Sequence, residues 1–159
     1  MCRSFLLLIG CVGLGLGGCD TSGGTSGADP RYFRFLHTSD STTFVAATSQ
    51  DDVLESVEAQ LDRPFEERGK FIIGPIAEGN GGHNGDYPWH FETDEWTLTE
   101  VAMEACDGSP AYVSENVDYF VEEVGRYCPW NARVLQEVQA PEDGGRPLTV
   151  PSDSEAPPR

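Results

Sequence analysis

The chain has 159 residues, with 10 basic and 27 acidic side chains and a net charge of −17. An acidic surface of this kind excludes nucleic acid as a partner and repels anionic lipid head groups. The length suits a single domain with one modest core.

The N-terminus, "MCRSFLLLIGCVGLGLGGCD", has one positive residue, Arg3, followed by an uncharged apolar run over residues 5–18. This is the form of a secretory signal and is too short to span a membrane. It ends in Leu16-Gly17-Gly18-Cys19, which resembles a bacterial lipobox. The resemblance implies that residues 1–18 are removed as a signal peptide. It also implies that Cys19 takes a lipid anchoring the protein to the cell envelope, facing the periplasm or the exterior. A second such motif, Leu8-Ile9-Gly10-Cys11, has too little apolar chain before it. Residues 19–30 are rich in Gly, Ser and Thr and read as a flexible tether. Residues 140–159, rich in proline and charge, read as a disordered acidic tail. The domain is expected over residues 31–139, and no internal repeat is visible.

Within it, "RYFRFLH" (residues 31–37) and "TTFVAATS" (residues 42–49) read as two strands joined by the "TSDS" turn. Ser49 and Asp52 have capping-box spacing. After them Val53, Leu54, Val57 and Leu61 recur at helical spacing until Pro64 stops the helix. "GKFIIGPI" (residues 69–76) predicts a third strand and "PWHFE" (residues 88–92) a fourth. In "WTLTEVAMEAC" (residues 96–106), Val101, Met103 and Ala105 alternate with Ala102, Glu104 and Cys106, as in a strand; a helix is the rival reading. Ser109 then predicts an N-cap and Pro110 the first residue of a second helix. Val113, Val117, Phe120, Val121 and Val124 give that helix one apolar face, and Gly125 ends it. "ARVLQEV" (residues 132–138) reads as the last strand. The order ββαβββαβ predicts an α+β domain: a mainly antiparallel sheet of five or six strands with two helices on one face.

If Cys2 and Cys11 leave with the signal and Cys19 is lipidated, Cys106 and Cys128 remain as an even pair in an exported protein and predict one disulfide. Neither lies in a CxxC motif, which argues against redox chemistry.

"GNGGHNGDYPWHF" (residues 79–91) holds two of the chain's three histidines. His83 and His90 stand seven positions apart and share neither a helix face nor a short chelate, so no metal site is expected; His83, Asp86 and His90 are the weak candidates. Calcium would draw on Asn80, Asp86, Glu92, Asp94 or Glu95, but their order does not match an EF-hand loop. Asn84-Gly85 suits a turn tip, and the glycines predict a mobile connection between strands. Asn80, His83, Asn84, Asp86 and Tyr87 form its candidate ligand-contact surface, whereas Trp89 reads as core.

No GxSxG, HExxH or phosphate-cradling glycine loop is present. No catalytic residue and no cofactor is expected. The prediction is an envelope-anchored, non-catalytic domain that binds a protein or another envelope ligand. The alternative is a small metal-dependent or carboxylate-based hydrolase, or a calcium-binding envelope protein.

"WHF", "EVAMEACDGSPAYVSENVD" and "GRYCPWNARVLQEV" together resemble a family of small exported domains. That family is named after the N-terminal domain of a calmodulin-binding protein. The paired cysteines and the Cys128-Pro129-Trp130 step are the most specific marks. The resemblance implies a compact secreted α+β domain over most of residues 31–138 and carries no catalytic residues with it.

Overall fold

The computed structural model describes residues 28–141. The signal peptide, Cys19, most of the tether and nearly all of the tail lie outside the described residues. Strand β1 (Arg31–His37) pairs antiparallel with β2 (Thr42–Thr48), from Arg31 opposite Thr48 to His37 opposite Thr42. The turn between them is held by Asp40, whose Oδ1 accepts the Thr42 N–H and hydroxyl. On its other side β1 pairs antiparallel with the last strand of the domain, β7 (Ala132–Val138), with a register shift at Arg34 and Phe35. The aromatic and β-branched alternation of these three segments puts Phe33, Phe35, Phe44, Ala46, Val134 and Val138 in the core.

The rest of the domain is more broken than the sequence predicts. "FIIGPI" forms two strands, β3 (Phe71–Ile73) and β4 (Ile76–Glu78), because Gly74 and Pro75 interrupt the ladder. Gly74 is required there: a Cβ would stand 2.6 Å from that of Trp96. Strand β4 pairs with β5 (Trp89–Phe91), and β3 with β6 (Thr97–Thr99). The result is one three-stranded and two two-stranded sheets, every pairing antiparallel. A single five- or six-stranded sheet is not formed among the described residues. Beyond Thr99 the predicted strand ends; Val101 and Met103 are 80% and 64% exposed, and Glu104–Cys106 is a 3₁₀ turn. The alternation there is not a buried face.

Helix α1 (Asp51–Leu61) buries Val53 and Val57 as its spacing predicts. The expected Ser49 capping box does not form. A carboxylate from the β5–β6 connection instead holds the residues before the helix: Asp94 accepts the Thr48 hydroxyl together with the N–H and hydroxyl of Ser49, and its carbonyl accepts from the Gln50 side chain. Arg31 joins three elements, donating through Nε and Nη2 to Glu137 on β7 at 2.8 and 2.7 Å and through Nη1 to Glu58 on α1 at 2.6 Å. These hydrogen bonds hold the Glu137 carboxyl below its ordinary range.

The core is dominated by rings. Phe44 contacts Phe35, Trp89, Phe91 and Tyr127, and Tyr127 stacks on Phe91 with centroids 5.6 Å apart. Tyr127 is fully buried; burial pushes its phenol well up, and its hydroxyl donates to the Gly108 carbonyl. A smaller cluster forms around Phe71 and the Cys106–Cys128 disulfide, whose Cα atoms are 5.2 Å apart. The predicted bridge is therefore present. The backbone meets at the same place, the Cys128 N–H donating to the Cys106 carbonyl at 2.8 Å.

Candidate functional site

The second helix does not run unbroken from Pro110 to Gly125. Ser109 caps it as predicted, its hydroxyl accepting the Tyr112 N–H at 3.2 Å. Helix α2 spans only Pro110–Glu115. At Asn116 the backbone leaves helical geometry (φ −137°, ψ 36°), and its side-chain amide donates to the Tyr112 carbonyl at 2.8 Å. An asparagine that takes a backbone acceptor for its side chain competes with the helix ladder. The chain resumes as a wide π turn over Tyr119–Val124, and Gly125, at φ 72°, closes it by donating to Phe120. Val113 and Phe120 stay buried across the break, so the apolar spacing survives while the helix does not.

Beside this break lies a groove of about 650 Å³ between α2, residues 116–119 and the neck of the β4–β5 connection. Glu78, Glu115 and Asp118 place three carboxylates on it, and Tyr119, about half exposed, lines it with a ring. Gly79 and Pro88 form the opposite wall, joined by a hydrogen bond from the Gly79 N–H to the Pro88 carbonyl at 2.8 Å. Ser114 pins the helix to the core: its hydroxyl accepts from Trp89 Nε1 at 3.0 Å and donates to the Pro110 carbonyl at 2.8 Å. Among the described residues no basic side chain lines the groove. It can receive a cationic group, held by carboxylates and an aromatic face.

The candidate loop, residues 79–88, is built into the fold. Asn84 is 2% exposed and its amide bridges two chain segments, Oδ1 accepting the Val45 N–H at 3.1 Å and Nδ2 donating to the Trp89 carbonyl at 2.8 Å. His83 is also buried, with Nδ1 donating to the Gly81 carbonyl at 2.9 Å, and burial pushes its pKa below the ordinary range. Tyr87 stacks on Trp89 at 5.1 Å. Asn80 is exposed and accepts the Gly82 N–H through Oδ1, a turn contact. Asp86 sits with Arg34, Thr43 and His83 on a smaller cleft of about 170 Å³. The expectation of a mobile connection therefore gives way to a packed one, because Asn84 satisfies backbone groups that the open edge of β2 and the end of β5 would otherwise leave unpaired.

Among the calcium candidates, Asp94 spends both oxygens on Thr48 and Ser49. Among the described residues no group of three or more His, Cys, Asp or Glu could hold a metal ion. His83 and His90, far apart in the sequence reading, do meet: their ring centroids are 5.7 Å apart. The β4–β5 hairpin brings them together, and no spacing rule along the chain signals it. The groove has no signal in the sequence either, because it forms where the predicted helix breaks at Asn116 and comes beside Gly79 and Pro88, far away along the chain.

The family model of the BP-74 N-terminal domain matches residues 29–141, the whole folded unit. The chain belongs to the BP-74 N-terminal domain family. No curated protein and no solved structure matches it. In this BP-74 N-terminal domain the disulfide, the helix break and the packed loop all lie inside the matched residues.

Proposed function

We propose that this BP-74 N-terminal domain is a non-catalytic binding module of the bacterial cell envelope, anchored by a lipid on Cys19, whose acidic groove takes cationic side chains of a partner protein. The observation that carries the reading is the groove at the helix break: three carboxylates and an accessible tyrosine around about 650 Å³, on a chain with a net charge of −17. Carboxylates gathered on a groove without a basic side chain in its lining favour a basic ligand, and Tyr119 adds a cation–π face. Ser114, which lines the groove, is held in advance by the buried Trp89, so little ordering entropy is lost there on binding. The anchor rests on the sequence Leu16-Gly17-Gly18-Cys19.

The test is fluorescence anisotropy of a labelled lysine-rich peptide with the folded protein. Binding is expected to weaken with salt and to fall about tenfold in a Tyr119→Ala, Asp118→Asn double variant. Binding unaffected by both would contradict the groove as the site. For the anchor, labelled fatty acid is expected on the wild type and not on Cys19→Ala; equal labelling of the two removes it.

A further inference from the structure

The histidine pair in the packed loop has a chemistry that the groove reading does not use. His83 is 3% exposed, and its Nε2 is buried without a hydrogen-bond partner among the described residues. Its Nδ1 faces the Gly81 carbonyl, which can only accept, so Nδ1 carries the proton and Nε2 the lone pair. His90 repeats the arrangement, with Nδ1 donating to the Gly79 carbonyl at 2.8 Å. A backbone carbonyl on one ring nitrogen is the usual means of fixing a histidine for metal ligation through the other.

The two rings stand perpendicular, at 88°, with centroids 5.7 Å apart. Imidazoles that share one ion, each Nε2 about 2.1 Å from it, have their centroids about 5 to 6 Å apart. Gly81 makes room for both rings: a Cβ on it would fall 2.5 and 2.6 Å from His90 Cδ2 and Cγ and 2.9 Å from His83 Cε1. Its φ of 58° is left-handed as well, so the position is doubly suited to glycine.

We propose that His83 and His90 form a two-histidine site for a divalent late first-row transition ion, Zn²⁺ or Cu²⁺, bound through both Nε2 atoms, with water completing the coordination. His90 is partly exposed and offers the way in, while buried His83 supplies the lone pair that no described donor satisfies. Soft thiolate ligands from Cys106 and Cys128 are excluded, because the two are bonded to each other.

Ring ¹⁵N NMR of the folded protein during a Zn²⁺ titration tests the site directly. Without zinc, both His83 and His90 are expected as Nδ1–H tautomers; with zinc, the Nε2 resonances of both move together while those of His37 stay. In His90→Gln the apparent zinc affinity is expected to drop about tenfold or more, with the fold checked by its amide spectrum. Zinc that leaves the His83 ring resonances of the wild type unmoved overturns the proposal. So does an affinity unchanged in a folded His90→Gln.

Discussion

The side-chain amide of Asn84 stands in for a neighbouring strand: it accepts the Val45 N–H on the outer edge of β2 at 3.1 Å while donating to the Trp89 carbonyl at 2.8 Å. Truncation would bury an unpaired donor and an unpaired acceptor together. Asn84→Ala is therefore expected to destabilise the domain by about 2–4 kcal/mol in chemical denaturation. Asn80→Ala, which removes one exposed turn contact to Gly82, should cost under about 1 kcal/mol. Equal effects of the two would mean that the loop is not part of the packed structure.

The opposite edge of the sheet has its own plug. Arg68 donates from Nη1 to the carbonyls of Val134 and Leu135 on β7, from Nη2 to Leu61 and from Nε to Arg63 at the end of α1. A fork of fixed N–H groups can serve separated carbonyls in a way that an ammonium cannot. Arg68→Lys is expected to lower stability nearly as much as Arg68→Met, by about 2 kcal/mol or more, read from the denaturation midpoint. Full rescue by lysine would show that charge alone acts there.

Acid should weaken the domain through Glu137 and Asp94. Both carboxyls have folded pKa values below their ordinary ones: Glu137 chiefly through hydrogen bonds from Arg31, Asp94 through those from Ser49 and Thr48, which outweigh its burial. The folded state thus binds protons less readily than the unfolded chain. Their stabilisation is complete above about pH 4 to 5 and is lost as the pH falls through the folded values. Glu137→Gln should flatten the loss below about pH 4, by no more than about 1 kcal/mol because the pair is partly exposed. A steeper loss in the variant than in the wild type would contradict this assignment.

The disulfide closes a loop with a sequence separation of 22. Replacing both Cys106 and Cys128 by alanine is expected to cost about 3 kcal/mol, measured by denaturation. A loss near zero would mean that the Cys128 to Cys106 backbone hydrogen bond holds the chain in the reduced form as well.

Much of the frame was legible in the residues. Strands β1, β2 and β7 and helix α1 announce themselves through alternation or helical spacing, and the cysteine pair follows from counting. The family was legible too, in the segments around Cys106 and Cys128. The break at Asn116 was not, because Val113, Val117, Phe120, Val121 and Val124 keep a helical period through it and a π turn costs that pattern little. The loop is hard to read for a related reason. Glycines at positive φ and an Asn-Gly step describe a mobile turn equally well, and nothing local reveals that Asn84 meets an edge strand 39 positions away. Gly74-Pro75 looks like the middle of one strand until the close approach of Trp96 gives the glycine its reason.

The central claim, that the groove beside the helix break is where a basic partner binds, is tested most directly by mapping amide shifts as a lysine-rich peptide is added. The account predicts that the moving resonances cluster at Glu78, Gly79 and residues 114–119, with Tyr119 among the largest, and that they return as salt is raised. Shifts spread evenly over the acidic surface, or centred on Asn80 and Asp86 at the loop tip, would contradict it.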